Sequence, residues 1–553
     1  MSLRQGTVQS LTSPLDVMTD QPEQHDLPVT FLGDFSRKLI VNTFFNLLGR
    51  FWSFAAAILL TPFIWGHLTR GEFGVWVLLS VFLESFTLLD FGLGSAFVKF
   101  ISAYYTHDDY DRINRVLFSG LAFYAVQGVL LVGVGLAVRG LLFGFFDISG
   151  AETAYVYVLL ASGLANIGAM FLSVFRGAQR MDRSNAIEMA MSILNVVGAV
   201  TVLELGWGLS GLALNALVNA AVLVVVAWWS VKRTMPWMSL TFQVDRPLIR
   251  EMFSYGAQIL VSRIGGLVCF RLDKLIVARF LGLAAVPFYE FSARLSALVR
   301  ALPLLTMSAL IPATSELGAR NEKEKILHTY LMTSKYVAMI TIGLVAFVVL
   351  EADAILRLWL GAGVEQSVVL VQILVIGYGA NVLVGAASQT GAGVGHPEFD
   401  MRSTILLMVL SPTLGIVLVQ KFGAAGVAAG TTLALIIAAI YLLVAFHRNY
   451  LDTSVVSMVR EFHVRPLAAG LLAFLAVTLF HRTFPGVDAL RDTRYLIPVK
   501  LALDFAVFSA VYMMFLVAVR QVTAIDRRNF LGLMNFGFEF MRHPFREWVK
   551  IYR

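Results

Sequence analysis

The chain has one cysteine, Cys269, in 553 residues. It therefore forms no intrachain disulfide and no thiolate metal cage. Charge is also scarce: Asp, Glu, Lys and Arg make up 14% of the sequence, against roughly 25% in soluble domains. The nine histidines show no HExxH or other paired metal spacing. A Walker A motif is missing, which argues against direct use of ATP, and no cofactor motif stands out. Residues 1–36 are polar and lack an apolar core followed by a small-residue cleavage site. They read as a mobile cytoplasmic tail, with the first apolar run behind them serving as an uncleaved anchor.

What the chain has in excess is apolar length. Hydrophobic residues are 58% of the sequence and mean hydropathy is +0.76. A soluble fold of this size leaves too much surface in water to hide that content, which excludes a soluble enzyme and a disordered chain. Apolar runs of spanning length lie at 39–65, 73–98, 116–138, 153–175, 185–203 and 209–230. After a polar stretch at 232–250 they continue at 252–281, 285–312, 329–350, 365–389, 402–420, 424–446, 466–481 and 497–519. Their length and their lack of barrel-type alternation predict an all-α polytopic membrane protein of about 14 transmembrane helices.

The net charge of +7 does not require nucleic acid as a partner, because a membrane protein concentrates Lys and Arg in its cytoplasmic loops. If the N-terminus is cytoplasmic, basic residues cluster inside: Arg112 and Arg115, then Arg176, Arg180 and Arg183, Lys232 and Arg233, Arg320, Lys323 and Lys325, and Arg448. Outer loops carry few, except 482–500 with Arg482, Arg491, Arg494 and Lys500. This asymmetry predicts that both termini are cytoplasmic, and the expected location is the inner (cytoplasmic) membrane. Beyond Arg520, apolar residues such as Phe530, Phe538 and Trp548 alternate with Arg and Lys. That pattern predicts an amphipathic helix on the anionic inner leaflet.

The first six runs resemble the next six at an offset of about 213–215 positions: Leu68 with Leu281, Trp76 with Tyr289, and Gly208-x-x-Gly211 with Gly423-x-x-Gly426. Arg50 and Arg263 also correspond. Six spans is an even number, so the copies share an orientation. The expectation is two six-helix lobes related by a pseudo-two-fold along the membrane normal, with a central cleft. The expected organisation is a polar tail (1–37), an N-lobe (38–232), a linker (233–250), a C-lobe (251–447), two extra spans (448–520) and an amphipathic tail (521–553).

Charges inside spans are costly and mark candidate sites. Arg50 falls near mid-membrane on one stripe with Asn42 and Asn46. Arg263, Arg271 and Lys274 share one face of the seventh span. These six residues are the candidate substrate-binding set, in a water-filled basic cleft suited to an anion. Glu84, Asp90 and Asp273 are candidates for ion coupling. Glu290 and Arg294 are spaced for an internal i,i+4 pair, and Asn185, Glu188, Ser192 and Asn195 form a second polar stripe. Gly206-Trp207-Gly208-Leu209-Ser210-Gly211 fits a dinucleotide pattern, but it joins two apolar spans with no strand before it. It reads as a hairpin turn. Asp90-Phe91-Gly92 lacks the other kinase motifs.

Leu68-Thr69-Arg70-Gly71-Glu72-Phe73-Gly74-Val75-Trp76 and Leu88-Leu89-Asp90-Phe91-Gly92-Leu93-Gly94-Ser95-Ala96 resemble the polysaccharide-transporter branch of the multidrug/oligosaccharidyl-lipid/polysaccharide (MATE-like) flippase superfamily. The resemblance covers roughly residues 38–450. It implies 12–14 helices in two lobes, alternating access, and movement of a polyprenyl-diphosphate-linked oligosaccharide across the membrane for a cell-surface polysaccharide such as O-antigen or exopolysaccharide. It also implies membrane lipids and pathway proteins, for example a glycan polymerase, as partners. By position only, Arg50 and Arg263 are counterparts of the cleft arginines of lipid II flippases in that superfamily. Two alternatives stay open: a drug or cation exporter of the same superfamily, which calls for more acids than bases in the cleft, and a membrane-embedded glycan polymerase, which calls for acids on a large outer loop.

Overall fold

Left-handed backbone turns punctuate the chain at matching places in its two halves. Asp108 (φ 53°) corresponds to Asn321 (φ 56°), Asp147 (φ 52°) to Gly361 (φ 87°), Gln179 (φ 56°) to Gly395 (φ 88°), and Gly208 (φ 52°) to Gly423 (φ 58°). The members of each pair are 213–216 positions apart, so the repeat read from the sequence is a repeat of helix ends. The structure is a computed structural model. It describes residues 52, 55–88, 90, 92–238, 246–307, 309–523 and 526, with the side chains of 86–88, 246, 255, 257–269, 305 and 492 left aside.

The first half contains α1 (Ala55–His67), α2 (Arg70–Leu88), α3 (Leu93–Thr106), α4 (Tyr110–Phe146), α5 (Glu152–Gly177), α6 (Met181–Glu204) and α7 (Gly208–Thr234). The second half contains α8 (Arg246–Leu281), α9 (Val286–Thr306), α10 (Leu310–Ala319) and α11 (Lys323–Leu360). It continues with α12 (Gln366–Gly393), α13 (Glu398–Leu451), α14 (Val455–Thr483) and α15 (Ile497–Ala518). Nine helices among the described residues are long and apolar enough to cross a membrane. The chain is an all-helical polytopic membrane protein.

The structure corrects two expected spans. The run at 73–98 is broken by the turn at Asp90–Gly92, and the run at 285–312 is broken at Met307–Ala309. The breaks separate α2 from α3 and α9 from α10, and so occupy equivalent places in the repeat. At the first break, Asp90 accepts hydrogen bonds from Gly92 N (2.8 Å) and Gly94 N (3.2 Å). These satisfy backbone donors that a helix start leaves open. Gly92 has φ 73°, and a Cβ there would lie 2.2 Å from the carbonyl oxygen of Gly256. The backbones of α3 and α8 thus meet where no side chain fits, as small residues allow in membranes. At the start of α2, Thr69 and Glu72 form a reciprocal capping box: Glu72 N donates to Thr69 Oγ1 and Thr69 N to Glu72 Oε2.

α13 is two spans joined at Gly423, whose φ/ψ of 58°/−141° is non-helical. Its arms fold back on one another. Ser403 Oγ donates to the Ala438 carbonyl at 2.9 Å, and Ser411 Oγ lies 3.3 Å from Thr431 Oγ1. α6 and α7 form the matching hairpin through Gly206 and Gly208. There Asn215 Nδ2 donates to the carbonyl and side-chain oxygens of Asn195 (3.1 and 3.0 Å). Asn195 and Asn215 fall at the repeat positions of Ser411 and Thr431. Part of the second polar stripe is therefore spent closing a helical hairpin.

Contacts divide the described chain into two compact units, one ending at Glu290 and also holding Val419–Val427, the other beginning at Phe291. The division falls inside α9 rather than at 233–250. The first unit has a core of Phe97, Phe100, Tyr124, Phe171 and Phe175 with Val231 and Met252. The second has one around Tyr330, Phe446 and Phe462, and a smaller cluster where α14 and α15 pack on α11 through Ala469, Ala473, Val477, Phe508 and Tyr512. Outward faces are apolar: Val129, Val134 and Leu141 on α4 are exposed, as are Phe505, Met514 and Val517 on α15. Such patches are a liability in water; against lipid they are the expected surface.

Candidate functional site

Four of the nine nominated positions lie outside the described side chains. Arg50, Asn42 and Asn46 precede the described residues, and Arg263 belongs to the backbone of α8 with its side chain left aside. The remaining five are placed. Except for Asp90, they gather where α2, α8 and the first turns of α9 meet within the first unit.

On α8, positions 271, 273 and 274 each find a partner on another helix. Arg271 Nη2 lies 2.6 Å from Glu84 Oε2 of α2, with both side chains about two-fifths exposed. Lys274 pairs with Glu290 of α9, and both are buried. Asp273, also buried, accepts a hydrogen bond from the Tyr289 hydroxyl at 2.7 Å. α9 supplies Tyr289 and Glu290 side by side, and they reach Asp273 and Lys274, which are also neighbours. Gly74 of α2 lets Leu283, in the turn before α9, come close: a Cβ at Gly74 would be 2.0 Å from the Leu283 carbonyl oxygen. Close backbone approach and paired charges thus fix the register of α2, α8 and α9.

Arg50 and Arg263, on which a basic cleft turns, lie outside the described side chains, and the described part of the cluster is charge-balanced. Arg271 and Lys274 face Glu84, Glu290 and Asp273, so the described cluster holds no surplus of positive charge. The reason is the medium: an uncompensated charge at membrane depth is expensive, and removing water makes pairing obligatory. Glu290, expected within an i,i+4 pair along its own helix, is held by Lys274 of α8. Asp90 lies apart as the cap of α3.

Sequence reasoning passed over a second charged constellation. By composition Lys500 belongs to the outer loop 482–500. In the structure Lys500 is in the first turn of α15 and buried. Its Nζ donates to Glu351 Oε2 of α11 (2.6 Å) and to Asp504 Oδ2 (2.7 Å). His481 of α14 completes the group. The i,i+4 spacing of Lys500 and Asp504 was the available signal. Three of the basic residues of 482–500 are engaged in the same region. Lys500 is consumed by carboxylates, Arg494 donates to the carbonyls of Leu358 (3.0 Å) and Trp359 (3.3 Å), and Arg491 lies 3.9 Å from Asp488.

The fold is shared with solved transporters. The chain superposes on the lipid II flippase MurJ in an inward closed conformation with a TM-score of 0.67 and 13% identity, over 87% of this chain and 99% of that one. It superposes on an inward-facing multidrug resistance MATE family transporter of the MOP superfamily with a TM-score of 0.64 and 19% identity, over 73% and 94%. In sequence it is similar to the probable low-salt glycan biosynthesis flippase Agl15 of Haloferax volcanii, with 23% identity over 338 residues, 61% of this chain and 69% of that one. It is also similar to a Shigella flexneri protein named for O-antigen transport, with 21% identity over 422 residues, 73% and 96%. The model of the family described as polysaccharide biosynthesis protein matches residues 67–369, from the end of α1 into α12 and more than half of the chain. The chain belongs to the polysaccharide biosynthesis protein family.

Proposed function

We propose that this protein is a transporter, not an enzyme, that flips a polyprenyl-diphosphate-linked oligosaccharide across the cytoplasmic membrane by alternating access. The observation that carries the reading is its family membership together with similarity to proteins named as a glycan flippase and for O-antigen transport. The MurJ-like fold is consistent with it. The drug-exporter alternative draws on the MATE-like fold alone.

In this reading both termini are cytoplasmic, the two six-span repeats are the N- and C-lobes, and about 14 spans cross the inner membrane. Arg50 and Arg263 bind the diphosphate of the carrier, and Asn42 and Asn46 contact the glycan from the stripe that carries Arg50. Arginine suits this role because its planar fork of donors matches phosphate oxygens two at a time, which lysine cannot reproduce. Arg271 and Lys274 border the site. Already neutralised by Glu84 and Glu290, they hold its walls in register rather than supply its net charge. The glycan stays in water and the polyprenyl tail in lipid. Bound substrate favours one access state by binding it more tightly than the other.

The test is complementation of a flippase-null strain, with protein levels checked by blot. Arg50→Ala and Arg263→Ala insert at normal levels and fail to export glycan, whereas Arg50→Lys retains part of the activity. Full export by the double alanine variant would overturn the diphosphate role. Failure of the unaltered protein to restore export with any lipid-linked glycan offered would overturn the flippase reading itself.

A further inference from the structure

The two helical hairpins of the repeat are closed alike and finished differently. The one inside α13 closes through Ser403, Ser411 and Thr431. The α6–α7 hairpin closes through Asn195 and Asn215 and carries further polar groups. At an offset of 216 positions, Asn185, Glu188, Ser192 and Asn219 correspond to Met401, Thr404, Met408 and Leu435. The hairpin in α13 thus shows what closure requires, and most of the α6 stripe exceeds it. Polar and charged groups inside a span are costly and are kept for use.

The excess is organised as a ladder. Asn219 Nδ2 donates to the carbonyl and side-chain oxygens of Asn215 (2.9 and 3.0 Å), and Asn215 Nδ2 donates to those of Asn195. Because each amide nitrogen points at oxygens, the orientation of these amides is fixed. Gly198 makes room for them. A Cβ there would lie 2.0 Å from Asn215 Oδ1, and its counterpart in α13 is Leu414. On α7 the ladder ends in Asn219 Oδ1, which is buried and accepts no hydrogen bond among the described residues. On α6 it ends in Asn195, which is exposed and spends its oxygen on Asn215, so its amide donors serve another acceptor.

Positions 185, 188, 192 and 195 fall within about 80° of one another and cover about 15 Å of α6. The exposed apolar residues Ile193 and Val197 lie about 120–160° from the centre of this stripe. The polar stripe is therefore turned away from the lipid-type face of α6. Glu188 pairs with Arg176 of α5, each side chain about two-fifths exposed, so the charges of the seam cancel. What remains is a hydroxyl, fixed amides and a neutralised carboxylate, a row of donors and acceptors without net charge. Such a row matches an uncharged ligand rich in hydroxyls. A diphosphate calls for uncompensated cations instead, and a metal ion for uncompensated carboxylates.

We propose that the α6–α7 seam, with Glu188, Ser192 and Asn195 at its accessible edge, is a subsite for uncharged sugar rings of the carried oligosaccharide. The proposal rests on the flippase reading and deepens it: sugar recognition is assigned to one hairpin of the repeat, and the other hairpin, with Met401 and Met408 at the matching places, lacks it.

The test measures equilibrium binding to the full-length protein in lipid nanodiscs. The probes are polyprenyl diphosphate carrying a neutral oligosaccharide, taken from the complemented strain, and bare polyprenyl diphosphate. The quantity read is the ratio of the two affinities, which isolates what the sugars add. The unaltered protein favours the glycan-bearing lipid. Glu188→Thr/Ser192→Met/Asn195→Ser installs the residues of the α13 hairpin, so it keeps a closed hairpin, and it lowers the ratio roughly tenfold, the effect of losing one or two hydrogen bonds. Ser192→Met alone lowers it less and serves if the triple variant fails to fold. A folded variant that keeps the full ratio would sink the proposal. So would an equal loss of affinity for both lipids, which signals altered packing, or an unaltered protein that binds both lipids equally. If the unaltered protein binds neither lipid, the flippase reading itself falls and the subsite with it.

Discussion

Arg271 of α8 reaches Glu84 of α2 at 2.6 Å while both side chains stay about two-fifths exposed, one helical turn from Lys274 and Glu290, which pair in full burial. The two ion pairs have the same chemistry and different energetics. A water-accessible pair is screened and contributes about 0.2–1 kcal/mol. A buried pair adds little net stability, yet losing one partner costs about 3–5 kcal/mol.

Lys274→Met is therefore expected to lower stability by about 3–5 kcal/mol, because Glu290 stays buried without this cation. The double variant Lys274→Met/Glu290→Leu recovers most of the loss. At the exposed pair, Glu84→Gln costs at most about 1 kcal/mol. Thermal unfolding in one detergent for all variants checks this, and equal losses for Lys274→Met and Glu84→Gln would contradict the burial difference.

Glycine replacements separate backbone strain from crowding. Gly423 has φ/ψ of 58°/−141°, a region adopted readily by glycine alone, and no atom lies within 4 Å of where a Cβ would stand, so Gly423→Ala costs about 1–3 kcal/mol from conformation alone. Gly92→Ala meets the Gly256 backbone as well as a positive φ and is the more damaging of the two. Yields of monodisperse protein on gel filtration should rank unaltered protein first, Gly423→Ala second and Gly92→Ala last.

Asp526 predicts an acid-sensitive anchor for the C-terminal segment. Burial raises its pKa, but hydrogen bonds from Lys335 (2.7 Å), Tyr336 (2.6 Å) and Thr523 outweigh that and hold the carboxyl below its usual range. A carboxylate with a depressed folded pKa stabilises in full above its unfolded pKa, about 3.9 for Asp, and loses that contribution as pH falls through the lower folded value. The anchor should hold at neutral pH and release below about pH 4. Cleavage near Arg520 by an acid-active protease should rise there, and Asp526→Asn should show raised cleavage already at pH values where the unaltered anchor holds.

The turns give a direct test of orientation. Asp147, Gly206, Gln179 and Asn321 all have positive φ at or beside helix ends, so insertions there disturb little regular structure. Reporter fusions at Asp147 and Gly206 are expected to read as periplasmic, and those at Gln179 and Asn321 as cytoplasmic. The reversed pattern would overturn the proposed topology.

Hydropathy and helix-end residues were enough to foresee most of the helices and the repeat, because both are local. A span needs an unbroken apolar run, and a turn between spans needs a residue that tolerates positive φ, as at Gly208 and Gly423. The resemblance at 68–96 was legible for the same reason. The breaks after α2 and α9 were not. Leu88-Leu89-Asp90-Phe91-Gly92 reads as apolar by composition, and the chain turns there because Asp90 caps α3 and Gly92 meets Gly256.

Helical periodicity placed Arg271 and Lys274 on one face but could not name their partners. Glu84 is far off in sequence on α2, and Glu290 projects from the helix after α8. The same holds for Lys500, a loop residue by composition, which three-dimensional packing buries between Glu351 and Asp504. Sequence determined which segments enter the membrane, since transfer from water depends on each segment's own side chains. Tertiary structure decided which charges meet, since that depends on the register in which separate helices pack, and close backbone contacts such as Gly74 with Leu283 set it.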